Sequence, residues 1–469
     1  MQKSKRPAFI VSIVLLLIVV LSVIILATIA LRTPDGYKIN LEVWGPIDDS
    51  DAFGGINREY TEVNPFVGKI QYKKMLVDEY KRDVLDALAA GNGPDIFLIH
   101  NTWIPEFQDK IVAVPDLLIT EDGVRRDFVD VVASDVIKNG EIYGVPLSVD
   151  SLALYYNKDI LNFEGIANPP KTWAEFLSLT QRLTVLDKSG AVIQSGAALG
   201  TARNINRSTD ILNALFLQSG TNLEYTTREA KGTVSNIKLG VPAQSALNFY
   251  TQFSDINSPV YTWNLQEDYS IDAFQEGNAV MMLNYSWHYD TIKRKNNRLN
   301  FAVAPLPQFE GKNPANYANY WVFVVAKNKN TDDIQGDVPN SDTAQKIRIF
   351  ESWEYLRYLT MYRGGPYTLT NLLTQTQKDF SFPLDPAKTY TEITKTPSAR
   401  RDLVEEQKTD PILGPFATGN LIAKSWIQGD PASIETLMAE IIDSVHLGKM
   451  SEAEAIRLLE ERIRTLLRR

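Results

Sequence analysis

Residues 143–161, YGVPLSVDSLALYYNKDIL, change their buried side partway along. Val145, Leu147 and Val149 are apolar at odd positions, whereas Leu152, Leu154 and Tyr156 are apolar at even ones. A half-buried strand keeps a period of two, so a shift of phase means that a different face is covered. The shift falls at Asp150-Ser151, two polar residues inside a strand-like run. The reading is a strand that leaves one sheet, crosses a gap at Asp150 and enters a second sheet. Such a chain has two cores.

The bulk numbers agree with that division. At 469 residues the chain exceeds one ordinary core and suits two or three lobes. Its 44% hydrophobic and 22% charged content is that of a globular protein. A net charge of −9 and the lack of a basic stripe exclude nucleic acid as a partner. There is no cysteine, which rules out disulfides, thiolate metal sites, thiol catalysis and a lipid-anchored cysteine. Residues 8–31, AFIVSIVLLLIVVLSVIILATIAL, form 24 uncharged positions, where about 20 suffice to span a bilayer. Lys3, Lys5 and Arg6 precede this run, so the N-terminus is expected in the cytoplasm and the remainder outside. The alternative is a cleaved signal peptide, whose apolar region runs about 7–15 residues. The length here favours a retained single-pass membrane anchor, 1–31, with a linker at 32–38 that reaches about 24 Å.

Beyond the linker the pattern is strand, helix, strand, helix, strand, the signature of an α/β sheet. INLEVWG (39–45), KIQYKKML (69–76) and PDIFLIH (94–100) read as strands, and FGGINREYTEVNP and DEYKRDVLDALAAG read as the helices between them. Past residue 160 helices dominate. PPKTWAEFLSLTQRLT opens with a capping box, Thr172 to Glu175. Strands return at 279–284, in NFAVAPLPQ and in NYWVFVVAKN, and two helices close the chain. The polar stretch 327–342 reads as a surface loop. The expected lobes are discontinuous: 39–150 with about 300–355 in the first, and 151–299 with about 356–469 in the second.

Five stretches carry a family likeness: GNGPDIFLIHNTW (91–103), NGEIYGVPLSVDSLALYYNKDIL (139–161), NPPKTWAEF (168–176), AFQEGNAVMMLNYSWHYDTI (273–292) and the closing SEAEAIRLLEERI. On these the chain resembles the family 1 extracellular solute-binding proteins of ABC importers, the group that includes the maltose-binding protein. The resemblance runs from about residue 38 to 467. It implies a two-lobed periplasmic-binding-protein fold of type II character, with a sugar or related polar solute held between the lobes and delivered to ABC permease subunits. It implies a binding protein rather than an enzyme. The chain departs from the family in lacking a lipid-anchor cysteine and in carrying the apolar N-terminal run instead.

A sugar site needs flat aromatic surfaces and a few fixed hydrogen-bonding groups. Asp150 matches a ligand-contacting acid of the family's hinge-strand motif; as a bare turn residue it would bond local backbone amides. His100 and Asn101 follow the strand PDIFLI at its carboxyl end, where open α/β sheets bind ligands. Asn101 stands where the maltose-binding protein has an acid, and His100 could equally be a satisfied half-buried histidine. Trp287 matches a family tryptophan that stacks on sugar, and Tyr285, two residues earlier, shares its side. Trp44 ends the first strand at the same edge. Tyr320 and Trp321 open a strand, and alternation lets only one of them face the cleft; Trp321 is the one assigned to it. Trp103 and Trp426 are lesser candidates, and Trp173 and Trp353 read as core.

No catalytic residue, metal or cofactor is expected. DDSDAFGGINRE fails the spacing of a calcium loop, and the three histidines lie far apart. A membrane-anchored carbohydrate hydrolase remains the enzymatic alternative, since two carboxyls could pair in a cleft. A sensor or adhesin on the same fold is the third. A monomer is expected.

Overall fold

Alternation along Tyr37–Gly45 buries Tyr37, Ile39, Leu41 and Val43 and leaves Lys38 and Asn40 outside, which makes a strand with one core face. In the computed structural model, which describes residues 36–466 apart from 116–117, 224–226, 230–231, 235–236 and 337, this strand organises the first lobe. It pairs in parallel with Val67–Lys74 along most of its length and with Ile96–His100 at Val43 and Trp44. Helices Asp51–Val63 and Val77–Ala89 make the crossovers. Trp321–Ala326 runs antiparallel beside Ile96–His100 and sets Trp321 opposite His100. Ile111–Val112 and Gln335–Gly336 lie at the edges of this six-stranded sheet. The stretch 327–342, expected as a loop throughout, therefore supplies an edge strand. The expected membrane helix falls outside the described residues, among which no helix is long and apolar enough to cross a membrane.

The second lobe is built on a three-stranded antiparallel sheet. Ala153–Asn157 lies in its middle, between Met281–Asn284 and Phe301–Pro305. Helices cover it: Trp173–Leu183, opened by the capping box of Thr172 and Glu175, then Ser208–Ser219, Gly240–Thr251, Pro431–His446 and Glu452–Leu466. Ser208–Ser219 is buried on almost every side, as its apolar sequence requires.

The two lobes have separate hydrophobic cores. Val145, Leu147 and Val149 belong to the first, Leu152 and Leu154 to the second. The passage between them falls at Asp150-Ser151, but no alternation follows it: Ala153 and Tyr155 are as buried as Leu152 and Leu154, because Ala153–Asn157 is the middle strand of its sheet, and Tyr156, expected inside, is only half-buried. The chain passes twice more. Tyr317 lies in the second core and Ala318 in the first; Ala423 lies in the first and Trp426 in the second. The three passages hydrogen-bond to one another as a small sheet, Ala423–Lys424, Asn316–Asn319 and Asp150–Ser151 in that order. Side chains tie it further. Asn316 Nδ2 donates to the Leu152 carbonyl at 2.8 Å, Ser151 Oγ to the Phe416 carbonyl at 3.3 Å, and Asn420 to the Val149 carbonyl.

The cores divide the later chain differently from the expected boundaries. Phe301, Val303 and Leu306 pack in the second core, because Phe301–Pro305 pairs with Ala153–Asn157. Leu356, Tyr358, Tyr390 and Leu403 pack in the first. The helix Ser341–Met361 runs straight through the boundary set at 355, and the segment after it adds Tyr362, Tyr367 and Phe382 to an aromatic cluster around Tyr358. The return to the second lobe comes only near residues 416–426.

Candidate functional site

Between the cores lies a cleft of about 680 Å³, lined from both lobes and floored by the passing strands. A volume of this order suits a small organic ligand. The Ile96–His100 strand ends at the floor. The antiparallel neighbour that begins at Trp321 places the indole on the same side as His100, and the two rings meet edge to face at 5.7 Å. A 3-10 turn, Asn101–Trp103, then brings Trp103 against Trp321 at 5.4 Å. His100, Trp103 and Trp321 form the first-lobe wall.

Trp287 forms the facing wall. It follows the Met281–Asn284 strand, keeps 40% of its surface exposed and stacks on Tyr285 at 4.6 Å and 17°. Tyr285 itself is fully buried; its hydroxyl donates to Asp210 Oδ2 at 2.9 Å. It backs Trp287 and does not line the cleft, which corrects the expectation of a direct ligand contact. The reason is that the chain turns after Asn284, so the two rings stack in series rather than side by side.

Asp150 lies on the floor, 6% exposed. One oxygen accepts from Ser286 N at 2.9 Å and Ser286 Oγ at 2.6 Å, and the other from Ser151 N at 2.9 Å. Burial pushes its carboxyl up to about 7, against the pull of those three donors. Asp150 thus bonds backbone amides, as the turn reading expects, and borders the cleft.

A hydrogen-bonded chain crosses the floor from lobe to lobe. His100 Nδ1 meets Thr102 Oγ1 at 2.7 Å, and His100 Nε2 meets Asn319 Oδ1 at 3.3 Å. Asn319 Nδ2 approaches Asp210 Oδ2 at 3.5 Å. A carboxylate can only accept, so it orients the Asn319 amide and leaves Oδ1 facing the imidazole. His100 then carries its proton on Nε2. Burial lowers the His100 ring to about 4, so it is neutral near pH 7. Burial likewise raises Asp210, with Arg207 pulling the other way.

Trp44 and Asn101 do not reach the cleft. Alternation puts Trp44 on the same side of its strand as Lys38, Asn40 and Glu42. There its indole N–H donates to Glu42 Oε1 at 2.7 Å and Lys73 Nζ sits 4.3 Å from the ring centroid. Asn101 begins the 3-10 turn and points inward, where its Nδ2 donates to Asp135 Oδ2 at 3.0 Å. Trp426 is buried, donating to Asn213 Oδ1 at 3.0 Å. Tyr320 and Trp321 both line the cleft. Tyr320 precedes the strand, so the alternation argument does not bind it; its hydroxyl donates to Asp135 at 2.7 Å.

Sequence reasoning missed Arg207, Thr209, Asp210 and Asn213, which all line the cleft from the start of Ser208–Ser219. RSTD before an apolar helical run signals a helix start, yet nothing local says where that end points. Arg207 occupies the N-cap position with φ 61°, a left-handed conformation that costs a non-glycine residue about 1–2 kcal/mol.

Two separately cored lobes, three joining strands and a cleft walled by aromatics from both sides define a two-lobed α/β binding protein. Comparison with known proteins gives the family. The chain belongs to the bacterial extracellular solute-binding proteins, whose family model matches residues 77–359, and with them to the solute-binding proteins of ABC importers. Over 279 residues it is 25% identical to the maltodextrin-binding protein MdxE of Bacillus subtilis, a match covering 58% of this chain and 61% of that one. Over 267 residues it is 24% identical to the maltotriose-binding protein of Pyrococcus abyssi, covering 55% and 51%. The chain thus spans a little over half the length of these curated relatives. In fold it matches the cyclo/maltodextrin-binding protein crystallised with maltotetraose, with a TM-score of 0.68 at 15% identity, covering 92% of this chain and 98% of that one.

Proposed function

We propose that this protein binds a sugar or short oligosaccharide in the interlobe cleft and presents it to the permease of an ABC importer. The observation that carries this reading is the cleft itself: an exposed Trp287 face in the second lobe opposite Trp103 and Trp321 in the first, over a floor of fixed donors and acceptors. Aromatic faces suit the apolar side of a pyranose, and the floor suits its hydroxyls. Relatives that bind maltodextrin and maltotriose support the same class of ligand. The lobes close on the ligand by hinge motion at the three passing strands. Residues 8–31 hold the protein on the outer side of the cell membrane as a single-pass anchor, and the short linker keeps the cleft near the permease. The protein acts as a monomer and returns its ligand chemically unchanged.

A thermal-shift screen of the full chain against a sugar panel tests this. A ligand at 100 times its Kd stabilises the folded state by about 2.7 kcal/mol and raises the melting temperature visibly. A panel that yields no ligand, or an oligosaccharide cleaved on incubation, would overturn binding without turnover.

A further inference from the structure

Among the described residues that line the cleft, Arg207 is the sole lysine or arginine. It makes no salt bridge among those residues, and its Nε is buried without a partner. The acids stand the other way round. Asp150 has both oxygens occupied, Asp210 accepts from Tyr285 and Asn319, and Asp48 accepts from Tyr390 at 2.6 Å. Glu435 is exposed to water at the rim. Protein donors answer these acids, whereas the cation has no hydrogen-bonded or salt-bridged acid among the described residues; it is met only by the Tyr285 and Trp287 rings and by the charge of nearby Asp210. A partly desolvated guanidinium without a hydrogen-bond acceptor is unfavourable, and its planar fork takes an oxyanion such as a carboxylate bidentately.

Its position adds to this. The guanidinium carbon lies 5.4 Å from the Trp287 ring centroid and 5.9 Å from that of Tyr285, while the two rings are 4.6 Å apart. The guanidinium thus stands within cation–π distance of both rings of the stack, and Trp287 keeps 40% of its surface exposed. A pyranose lying on the exposed part of Trp287 brings a substituent at its edge toward the guanidinium.

We propose that Arg207 sets the charge of the ligand: the cleft takes a saccharide bearing a carboxylate, a uronic-acid unit, with its ring on Trp287 and its acid group in the Arg207 fork. This rests on the saccharide reading above and names its class.

Calorimetry on the full chain in detergent micelles tests the inference with three trimers of different charge: trigalacturonate, maltotriose and the fully deacetylated chitosan trimer. The native protein is expected to bind trigalacturonate at least tenfold tighter than maltotriose at pH 7, with the difference shrinking as salt rises. Arg207→Gln should abolish that advantage, read as the ratio of trigalacturonate to maltotriose affinity in the same variant, and Arg207→Lys should keep part of it. Equal or tighter binding of maltotriose or of the amine trimer overturns the inference and leaves the saccharide reading standing. So does an acid preference that survives in R207Q. Binding of none of the three also overturns it, and the wider sugar screen then decides the saccharide reading separately. The native protein's preference is informative even if the variants fold poorly.

Discussion

Measuring Asp150→Asn across pH separates two forces that act on one carboxyl. Three donors, Ser286 N, Ser286 Oγ and Ser151 N, favour the carboxylate; burial favours the acid and prevails, holding the group at about 7. An unfolded aspartate titrates near 3.9. Between about pH 4 and 7 the unfolded chain is therefore ionised here while the folded chain keeps its proton. The folded state binds more protons in that window, so this group makes stability fall as pH rises through it and levels off above. At 1.36 kcal/mol per pH unit the whole window amounts to about 4 kcal/mol, of which relaxation of the site leaves roughly half.

The D150N variant has no such titration, and every other group is shared. The difference in unfolding free energy between native protein and variant isolates the effect. That difference should move in the variant's favour by about 2–4 kcal/mol from pH 4.5 to 8, whatever the constant offset from the lost charge-assisted bonds. Urea unfolding at fixed ionic strength, followed by tryptophan fluorescence, measures it. A difference flat across this range refutes the reasoning, since it means that the donors outweigh burial and the carboxylate stays ionised. A shift toward the native protein as pH rises refutes it more strongly.

Trp287→Ala should weaken saccharide binding about fivefold or more, from the loss of roughly 1 kcal/mol of stacking, with the melting temperature nearly unchanged because the ring is 40% exposed; calorimetry and a melting curve check both. Gly419→Ala should destabilise the protein by about 1–3 kcal/mol, because a Cβ there would lie 2.4 Å from Ser151 Oγ and 2.7 Å from Asn316 Nδ2 in the joining strands. Gly54→Ala is the control, expected to stabilise by up to about 1 kcal/mol, since the position is inside the Asp51–Val63 helix with open space around it. Nitrogen NMR should find the His100 ring neutral down to about pH 5 with its proton on Nε2; a proton on Nδ1 would mean that the Asn319 amide is reversed.

How much of this site is legible in the sequence depends on whether a residue's direction is set locally. His100 and Trp321 sit at strand ends, and a strand end at the carboxyl edge of an α/β sheet has a known destination. Trp287 and Asp150 sit in the motifs that carry the family likeness. Trp44 shows the cost of reading position without parity: it shares a side with Lys38, Asn40 and Glu42, and that alternation, present in the sequence, turns it away from the cleft. Asn101 fails differently, because a 3-10 turn begins at that residue and redirects it inward. Arg207 and Asp210 belong to a helix start, which the sequence marks, but the packing of Ser208–Ser219 against the rest of the second lobe decides where that start points. The lobe boundary near 355 fails for a similar reason. A passage between cores leaves a local trace only where polar residues interrupt an apolar strand-like run, as at Asp150-Ser151, and the passage near 416–426 runs through a helix and a two-residue strand.

The joint and the cleft floor share residues, Asp150 and Asn319 among them. Each passage contributes a polar side chain that fastens it to a lobe: Asp150 to Ser286 in the second, Asn319 to His100 in the first and Asp210 in the second, and Ser425 to Asp135 in the first. The chain through Asn319 has to lengthen at one of its two links, 3.3 or 3.5 Å, if the lobes part. A ligand shifts a two-state equilibrium only by the difference in its affinity for the two states. Here that difference has two sources: a guest between Trp287 and Trp321 touches both walls only when the lobes are together, and a guest on the floor bonds to groups whose spacing opening would change. A ligand that reached one wall alone would bind without closing the lobes, so affinity and closure should separate among saccharides too short to bridge the cleft.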